Sequence, residues 1–281
     1  MSILYIDKSD CVIGKQDNRI TVKYKDGMVR TIPVESIDGI TLLGHAQVTT
    51  QCIQECLKKG ISLSYFSKGG HYFGRLSSTG HIKASLQRKQ AGLYDQPFAL
   101  ELSKKIIYAK IHNQIVVLKR YSRSTNHNIS DIELHMKSAL RKVNYVKSIE
   151  ELMGYEGSAA KYYFKGLSMC VDEVFKFEGR SKRPPRDAFN SMLSLGYSIL
   201  MNELYGEIEI KGLNVYFGFL HKDAEKHPTL ASDMMEEWRA VLIDSTVMSM
   251  INGHEVHIDE FYSDDGEGIY ISKQALNKFI K

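Results

Sequence analysis

Residues 100–122 read LELSKKIIYAKIHNQIVVLKRYS, and this stretch decides the fold class. Ile106, Ile107, Ile111, Ile115 and Leu118 recur at the three- and four-residue spacing of one helix stripe, with Lys104, Lys105, Lys110, Lys119 and Arg120 largely off it. The same period returns over 131–144, 158–175, 187–205 and 231–251, and Pro184-Pro185 and Pro228 fall between these segments. Before residue 80 the pattern is different. Runs at 2–6, 11–15, 19–23 and 29–33 are β-rich and are separated by the turn signals Lys8-Ser9-Asp10, Gln16-Asp17-Asn18 and Asp26-Gly27. An apolar run at 37–43 precedes a short helix over 49–59 that stops at Gly60. Runs at 61–66 and 72–76 flank a Gly69-Gly70 turn. The expectation is an α+β chain: a small β-rich N-terminal domain over 1–80, a linker over 81–95, and a larger, mostly α-helical domain over 96–281.

With 281 residues, 43% of them apolar, the chain can bury one large core or two modest ones. A net charge of +4 identifies no partner, but its distribution is uneven. Between 82 and 147 there are 13 Lys or Arg against 4 Asp or Glu, whereas 255–267 holds six acids and no Lys or Arg. Such asymmetry suits a surface that meets a polyanion beside a site that holds cations; ordinary solvated helix faces explain it equally well. Cys11, Cys52, Cys56 and Cys170 are scattered and lack the pairing of a zinc site, so they read as reduced and structural. The start of the chain has no signal-peptide pattern, and no run approaches the ~18 apolar residues that span a bilayer. A soluble, cytoplasmic protein with no membrane association is expected.

The chemistry concentrates in His221-Lys-Asp-Ala-Glu-Lys-His-Pro-Thr-Leu-Ala-Ser-Asp-Met-Met-Glu-Glu-Trp-Arg239. An apolar run at 215–220, read as a strand, delivers His221. Thr229 or Ser232 then caps a helix on which Asp233, Glu236 and Glu237 share one face. Trp238, Val241, Leu242 and Met248 form a separate apolar face. Clustered carboxylates repel unless a divalent cation lies among them; hard oxygens suit Mg²⁺ or Mn²⁺, and an imidazole favours Mn²⁺ tolerance. Arg239 can orient a carboxylate or touch a phosphate. Acids in a first helical turn also suit the helix dipole, so this segment alone does not require a metal. Glu156, in Gly154-Tyr-Glu-Gly-Ser-Ala-Ala-Lys-Tyr-Tyr-Phe164, reads either as a glutamate capping a helix start or as a carboxylate pressed into a helix–helix cleft beside Ala159 and Ala160. Spacing does not choose.

Four blocks occur in a fixed order: Glu156-Gly-Ser-Ala-Ala-Lys-Tyr-Tyr-Phe; Arg180-Ser-Lys-Arg-Pro-Pro-Arg-Asp with Asn190 and Leu195-Gly-Tyr197; Gly212-Leu with Gly218-Phe-Leu-His221; and Leu230-Ala-Ser-Asp-Met-Met-Glu-Glu-Trp-Arg239. Together they closely resemble the CRISPR-associated adaptation integrase, the universal "Cas-one" nuclease family, over most of the chain. Ala188 stands where that family often has proline, and Trp238 where Phe is usual.

The resemblance implies catalytic metal ligands at Glu156, His221 and Glu236, with Asp233 a possible further ligand and Mg²⁺ or Mn²⁺ as cofactor. It implies an endonuclease and integrase that inserts short DNA fragments into a CRISPR array by 3′-hydroxyl attack on a phosphodiester. Its partners would be double-stranded DNA (fragment and repeat), a second copy of the chain joined through the β-rich domain, and a small adaptation protein, "Cas-two". For DNA contact the basic pool is Arg88, Lys89, Lys104, Lys105, Lys110, Arg120 and Arg123, joined by Arg180, Lys182, Arg183 and Arg186. The Arg180–Arg186 cluster equally suits support of the metal site. Tyr162 and Tyr163 are expected in the core. Asp259-Glu260 and Asp264-Asp265-Gly-Glu267 lack the ligand alternation of an EF-hand and read as a turn before a terminal helix. The competing readings are a non-catalytic nucleic-acid-binding scaffold of the same fold and a branched-DNA nuclease that does not integrate.

Overall fold

The computed structural model describes every residue except Met1, Ser9, Gly69, Gly70, His71, Arg183, Asp264, Asp265, Glu267 and Lys281. The Gly69-Gly70 turn, Ser9 of the first expected turn, Arg183 and the acids Asp264, Asp265 and Glu267 therefore lie outside the described residues. The chain forms two compact units, one of Met1–Ile82 with Leu276–Lys281 and one of Lys83–Ala275. Residues 81–95, expected as a linker, carry a helix and belong from Lys83 onward to the second unit.

The first unit runs β1 (Ile3–Ile6), β2 (Val12–Gln16), β3 (Arg19–Lys23), β4 (Val29–Pro33), β5 (Gly39–Leu43), β6 (Gln47–Val48), α1 (Thr50–Lys59), β7 (Ser62–Phe66) and β8 (Tyr72–Leu76). One sheet has the order β1-β5-β7-β8, with the first three strands parallel and β8 antiparallel to β7. The other has the order β4-β3-β2-β6. Every residue of β5 is buried, which is why its sequence runs apolar without alternation. Ile13, Ile20 and Val22 from one sheet meet Ile40, Leu42 and Leu63 from the other around Cys52 and Cys56 of α1. Thr49 Oγ1 caps α1 by accepting the Cys52 amide, and Gly60 ends it in the left-handed region at φ 74°. All four cysteines are buried and free.

The second unit runs α2 (Ala84–Ala91), α3 (Pro97–Thr125), α4 (Ser130–Val143), α5 (Ile149–Cys170), α6 (Ala188–Ile210), α7 (Thr229–Arg239), a π-helical segment (Ala240–Asp244) and α8 (Ser245–Asn252). The antiparallel pair β9 (Phe261–Ser263) and β10 (Ile269–Ile271) follows, and then helix α9 (Lys273–Ile280), whose residues from Leu276 onward belong to the first unit. The α+β architecture expected from the sequence is the one observed. Ile106, Ile107, Ile111, Ile115 and Leu118 of α3 are all buried. Among the described residues, no helix is long and apolar enough to cross a membrane.

Three local expectations are corrected. Helix α5 begins at Ile149, not at 158, because Ser148 Oγ accepts the Glu151 amide at 3.2 Å and so caps the helix earlier. Glu156 thus sits inside a helix, two turns from its start. Residues 215–220 form no strand: the amides of Tyr216, Gly218, Phe219 and Leu220 bond side chains, and that of Phe217 bonds Asn214 O in a local turn. The segment 231–251 is not one regular helix: Ser245 N–H bonds Ala240 O, the five-residue step of a π turn. Trp238 and Leu242 stay exposed on the outer side, while Val247 and Met248 are buried.

Candidate metal centre

Helices α3, α5 and α7 each contribute one charged side chain to a common point. Glu156 comes from the middle of α5, Glu236 from the last turns of α7, and Lys110 from the centre of α3. Lys110 is 1% exposed. Its ammonium bonds Glu156 Oε1 and lies 2.5 Å from Glu236 Oε2. Arg239 Nη2 stands 3.0 Å from Glu236 Oε2 and 4.0 Å from Glu156 Oε1. Burial alone would raise the Glu236 carboxyl, but the Arg239 and Lys110 cations outweigh it and hold it at about 2.

His221 arrives on a loop that several side chains pin down. Gln90 of α2 donates to Asn214 O and Phe217 O and accepts the Asn214 amide, each at 2.8 Å. Ser103 of α3 donates to Phe219 O at 3.2 Å. Thr229 Oγ1 accepts the Gly218 amide at 3.0 Å and donates to Tyr216 O at 2.5 Å, so it ties the loop and does not cap α7. Asp233, fully buried, accepts the amides of Phe219, Leu220 and His221 at 2.6, 3.0 and 3.1 Å. It also lies 2.7 Å from His221 Nδ1. A carboxylate can only accept, so Nδ1 carries a proton, and in the neutral imidazole the lone pair then lies on Nε2. That nitrogen stands 4.0 Å from Glu236 Oε1.

The far side of the centre is a buried polar layer. Asp244, in the π turn, accepts from Tyr163 OH at 2.8 Å and Tyr197 OH at 2.5 Å. Burial raises the Asp244 carboxyl, with the two tyrosine bonds and nearby Arg239 opposing. The Tyr197 ring lies between two guanidinium groups, Arg180 at 5.2 Å and Arg239 at 5.5 Å. Arg180 also donates to Asn190 Oδ1 at 2.9 Å and Ser194 Oγ at 3.1 Å. Asn113 of α3 donates to Glu237 O at 2.8 Å, and Tyr121 donates to Ser245 O at 2.6 Å. Helix α3 is thereby tied to the end of α7 and to the start of α8, on either side of the π turn.

Glu156 and Glu236, far apart in sequence, therefore meet at Lys110, and His221 Nε2 lies 4.0 Å from the other oxygen of Glu236. Asp233 reaches His221, and both its oxygens are committed to the loop and the imidazole. Lys110, grouped by sequence with the DNA-facing cations, is instead buried between the carboxylates. Arg180 faces the Asp244–Tyr197 layer. Arg88, Lys89, Lys105, Arg120, Arg123 and Arg186 are exposed. Lys104 pairs with Glu101 at 2.8 Å. Lys104 and Arg120 are about 24 Å apart along α3 at 1.5 Å per residue. Tyr163 is core, whereas Tyr162 is half-buried and stacks on His135. Sequence reasoning missed Gln90, Ser103 and the Asp244 layer, none of which carries a spacing signal.

Among the described residues, no group of three His, Cys, Asp or Glu side chains closes into a metal-holding cluster. The donor set nevertheless fits a divalent ion: two carboxylates and one imidazole with its lone pair fixed. Glu236 Oε2 is also buried without a hydrogen bond of good geometry.

The family model for CRISPR associated protein Cas1 matches residues 4–281. The chain is 40% identical over 280 residues to the CRISPR-associated endonuclease Cas1 of Mycobacterium tuberculosis, covering 99% of this chain and 82% of that protein. It is 33% identical to a Thermus thermophilus CRISPR-associated endonuclease Cas1, covering 100% and 83%. Its fold matches a Thermotoga maritima CAS1 protein with a TM-score of 0.87 at 22% identity, over 100% and 88% of the two chains. A Cas6-RT-Cas1–Cas2 complex matches with a TM-score of 0.84 at 27% identity, over 99% of this chain and 31% of that one. The chain belongs to the CRISPR-associated protein Cas1 family of endonucleases.

Proposed function

We propose that this chain is a divalent-metal-dependent DNA endonuclease and integrase whose centre is Glu156, His221 and Glu236, with Mg²⁺ or Mn²⁺ as the ion. The observation that carries this is the meeting of two carboxylates from separate helices, one of which, Glu236, stands 4.0 Å from the Nε2 of an imidazole that Asp233 orients. When bound, the ion supplies Lewis-acid polarisation of a phosphate and charge neutralisation of the attacking and leaving oxygens. The chain's own residues do the rest. Asp233 sets the His221 tautomer and the path of its loop, Arg239 offsets the charge of Glu236, and burial on α3, α5 and α7 keeps bulk water from the carboxylates. His221, 28% exposed at its side chain, marks the open side through which a phosphodiester reaches the centre.

The substrates proposed are a short DNA fragment, whose 3′-hydroxyl attacks, and a CRISPR repeat, whose phosphodiester is exchanged. The relative solved in a complex with Cas2 supports a small partner protein of that kind, and assembly as a homodimer completes the proposal. The test combines the full chain and its partner with a fragment duplex, a repeat-bearing plasmid and Mn²⁺. Strand joining that Glu156→Ala and His221→Ala abolish is expected. Joining by either variant at the wild-type rate overturns the site; cleavage of branched DNA without joining identifies a nuclease that does not integrate. DNA binding without cleavage or joining by the wild type identifies a scaffold.

A further inference from the structure

Lys110 has no counterpart in a simple three-ligand centre. It is nearly as buried as any residue in the chain, it lies within the apolar stripe of Ile106, Ile107 and Ile111, and its ammonium bridges one oxygen of each glutamate. A buried carboxylate, Glu236, and a half-buried one, Glu156, aimed at one point repel each other unless a cation lies between them. Arg239 does not fill that role alone, because it is 3.0 Å from Glu236 but 4.0 Å from Glu156. The Lys110 stem is also long and flexible, so its head can leave while the stem stays packed.

We propose that Lys110 is a resident counter-cation of the metal-free protein, which holds Glu156 and Glu236 in place and is displaced when a divalent ion enters between them. It is a positioning residue. Ammonium and ion then compete for the same two oxygens, and any coupling between them acts reciprocally on both. The ammonium keeps the carboxylates convergent at the cost of weaker ion binding. This rests on the metal centre proposed above.

The test measures Mn²⁺ binding to the full chain by calorimetry, and thermal unfolding in chelator and in Mn²⁺. Lys110→Met and Lys110→Gln are expected to bind Mn²⁺ about tenfold or more tightly than wild type, to unfold at lower temperature in chelator, and to gain more from Mn²⁺. Removing a nearby positive charge tightens cation binding even without displacement, so the deciding measurement is on the wild type. Crystals in chelator and in Mn²⁺ are expected to show Lys110 Nζ between the carboxylates in the first and outside them in the second. Nζ still between the carboxylates beside a bound ion, or unchanged or weaker affinity in both variants, overturns the proposal. Failure of the underlying centre is distinct: wild-type Mn²⁺ binding that His221→Ala leaves intact removes both. The crystallographic comparison decides the matter even if neither variant folds.

Discussion

Asp233 Oδ1 accepts from both His221 Nδ1, at 2.7 Å, and the His221 backbone amide, at 3.1 Å. One oxygen thus fixes where the residue sits and which ring nitrogen faces Glu236, while Oδ2 holds the two preceding amides. Asp233→Asn would turn an NH₂ group toward donors on one side of that arrangement. Because partners that orient a ligand typically matter by 10–100-fold, Mn²⁺ affinity is expected to fall by about that factor with helix content unchanged. Calorimetry checks it, and a change below about twofold would remove Asp233 from the centre.

Gly218 is the point where this loop passes closest to α7. A Cβ there would lie 2.8 Å from Asp233 Oδ2 and equally close to the Thr229 backbone carbon and Cβ. The Thr229 backbone cannot yield as a flexible side chain does. Gly218→Ala is therefore expected to push the loop outward, costing about 1–3 kcal/mol of stability and weakening Mn²⁺ binding in the same variant. Denaturant unfolding and calorimetry measure the two; a stable variant with normal binding would show that the loop relaxes freely.

Gly166 on α5 performs a similar service for the helix pair that brings Lys110 to Glu156. A Cβ at this position would stand 2.7 and 2.8 Å from the Leu118 Cδ atoms of α3, and Leu118 is 1% exposed. Overpacking by Gly166→Ala is expected to cost about 1–3 kcal/mol. The double variant with Leu118→Ala should cost less than the sum of the two single changes, because the residues share one space. Strict additivity would show that the helices do not meet there.

Strands β2, β3 and β4 are legible because turns whose residues have a mechanism separate them, such as Asp17 at φ 53° between β2 and β3, whereas the two-residue β6 has no such signal. Glu156 reads from sequence as a glutamate at a helix start or in a helix–helix cleft, and the Ser148 cap on Glu151, which starts α5 two turns earlier, carries no signal strong enough to choose. Lys110 falls on the buried stripe of α3, but a lysine among isoleucines reads as a solvated intruder until its two carboxylate partners, 46 and 126 positions away, are seen. The π turn leaves no periodic trace, so Trp238, Val241, Leu242 and Met248 read as one apolar face although Trp238 and Leu242 are exposed and Met248 is buried. Long-range partners and local changes of helical step decide these cases, and neither is a property of spacing within one segment.

The charges around Glu236 also predict how the metal-free protein responds to acid. Arg239 and Lys110 overcome the effect of burial and hold this carboxyl at about 2, against an ordinary value of 4.5. A carboxyl that binds its proton less readily when folded stabilises the fold once it is ionised in both states. That contribution is complete above about 4.5 and drains away as the pH falls toward 2. Glu236→Gln has no proton to bind and lacks this dependence, although it is less stable throughout because Lys110 and Arg239 lose a partner. In chelator, unfolding free energy should therefore fall more steeply with acid in the wild type, by at most about 1.4 kcal/mol per pH unit. Denaturant titrations of both proteins across this window measure the difference. Parallel curves would mean that Glu236 is not held ionised by its neighbours, and the ion-pair cluster at the meeting point of α3, α5 and α7 would lose its electrostatic basis.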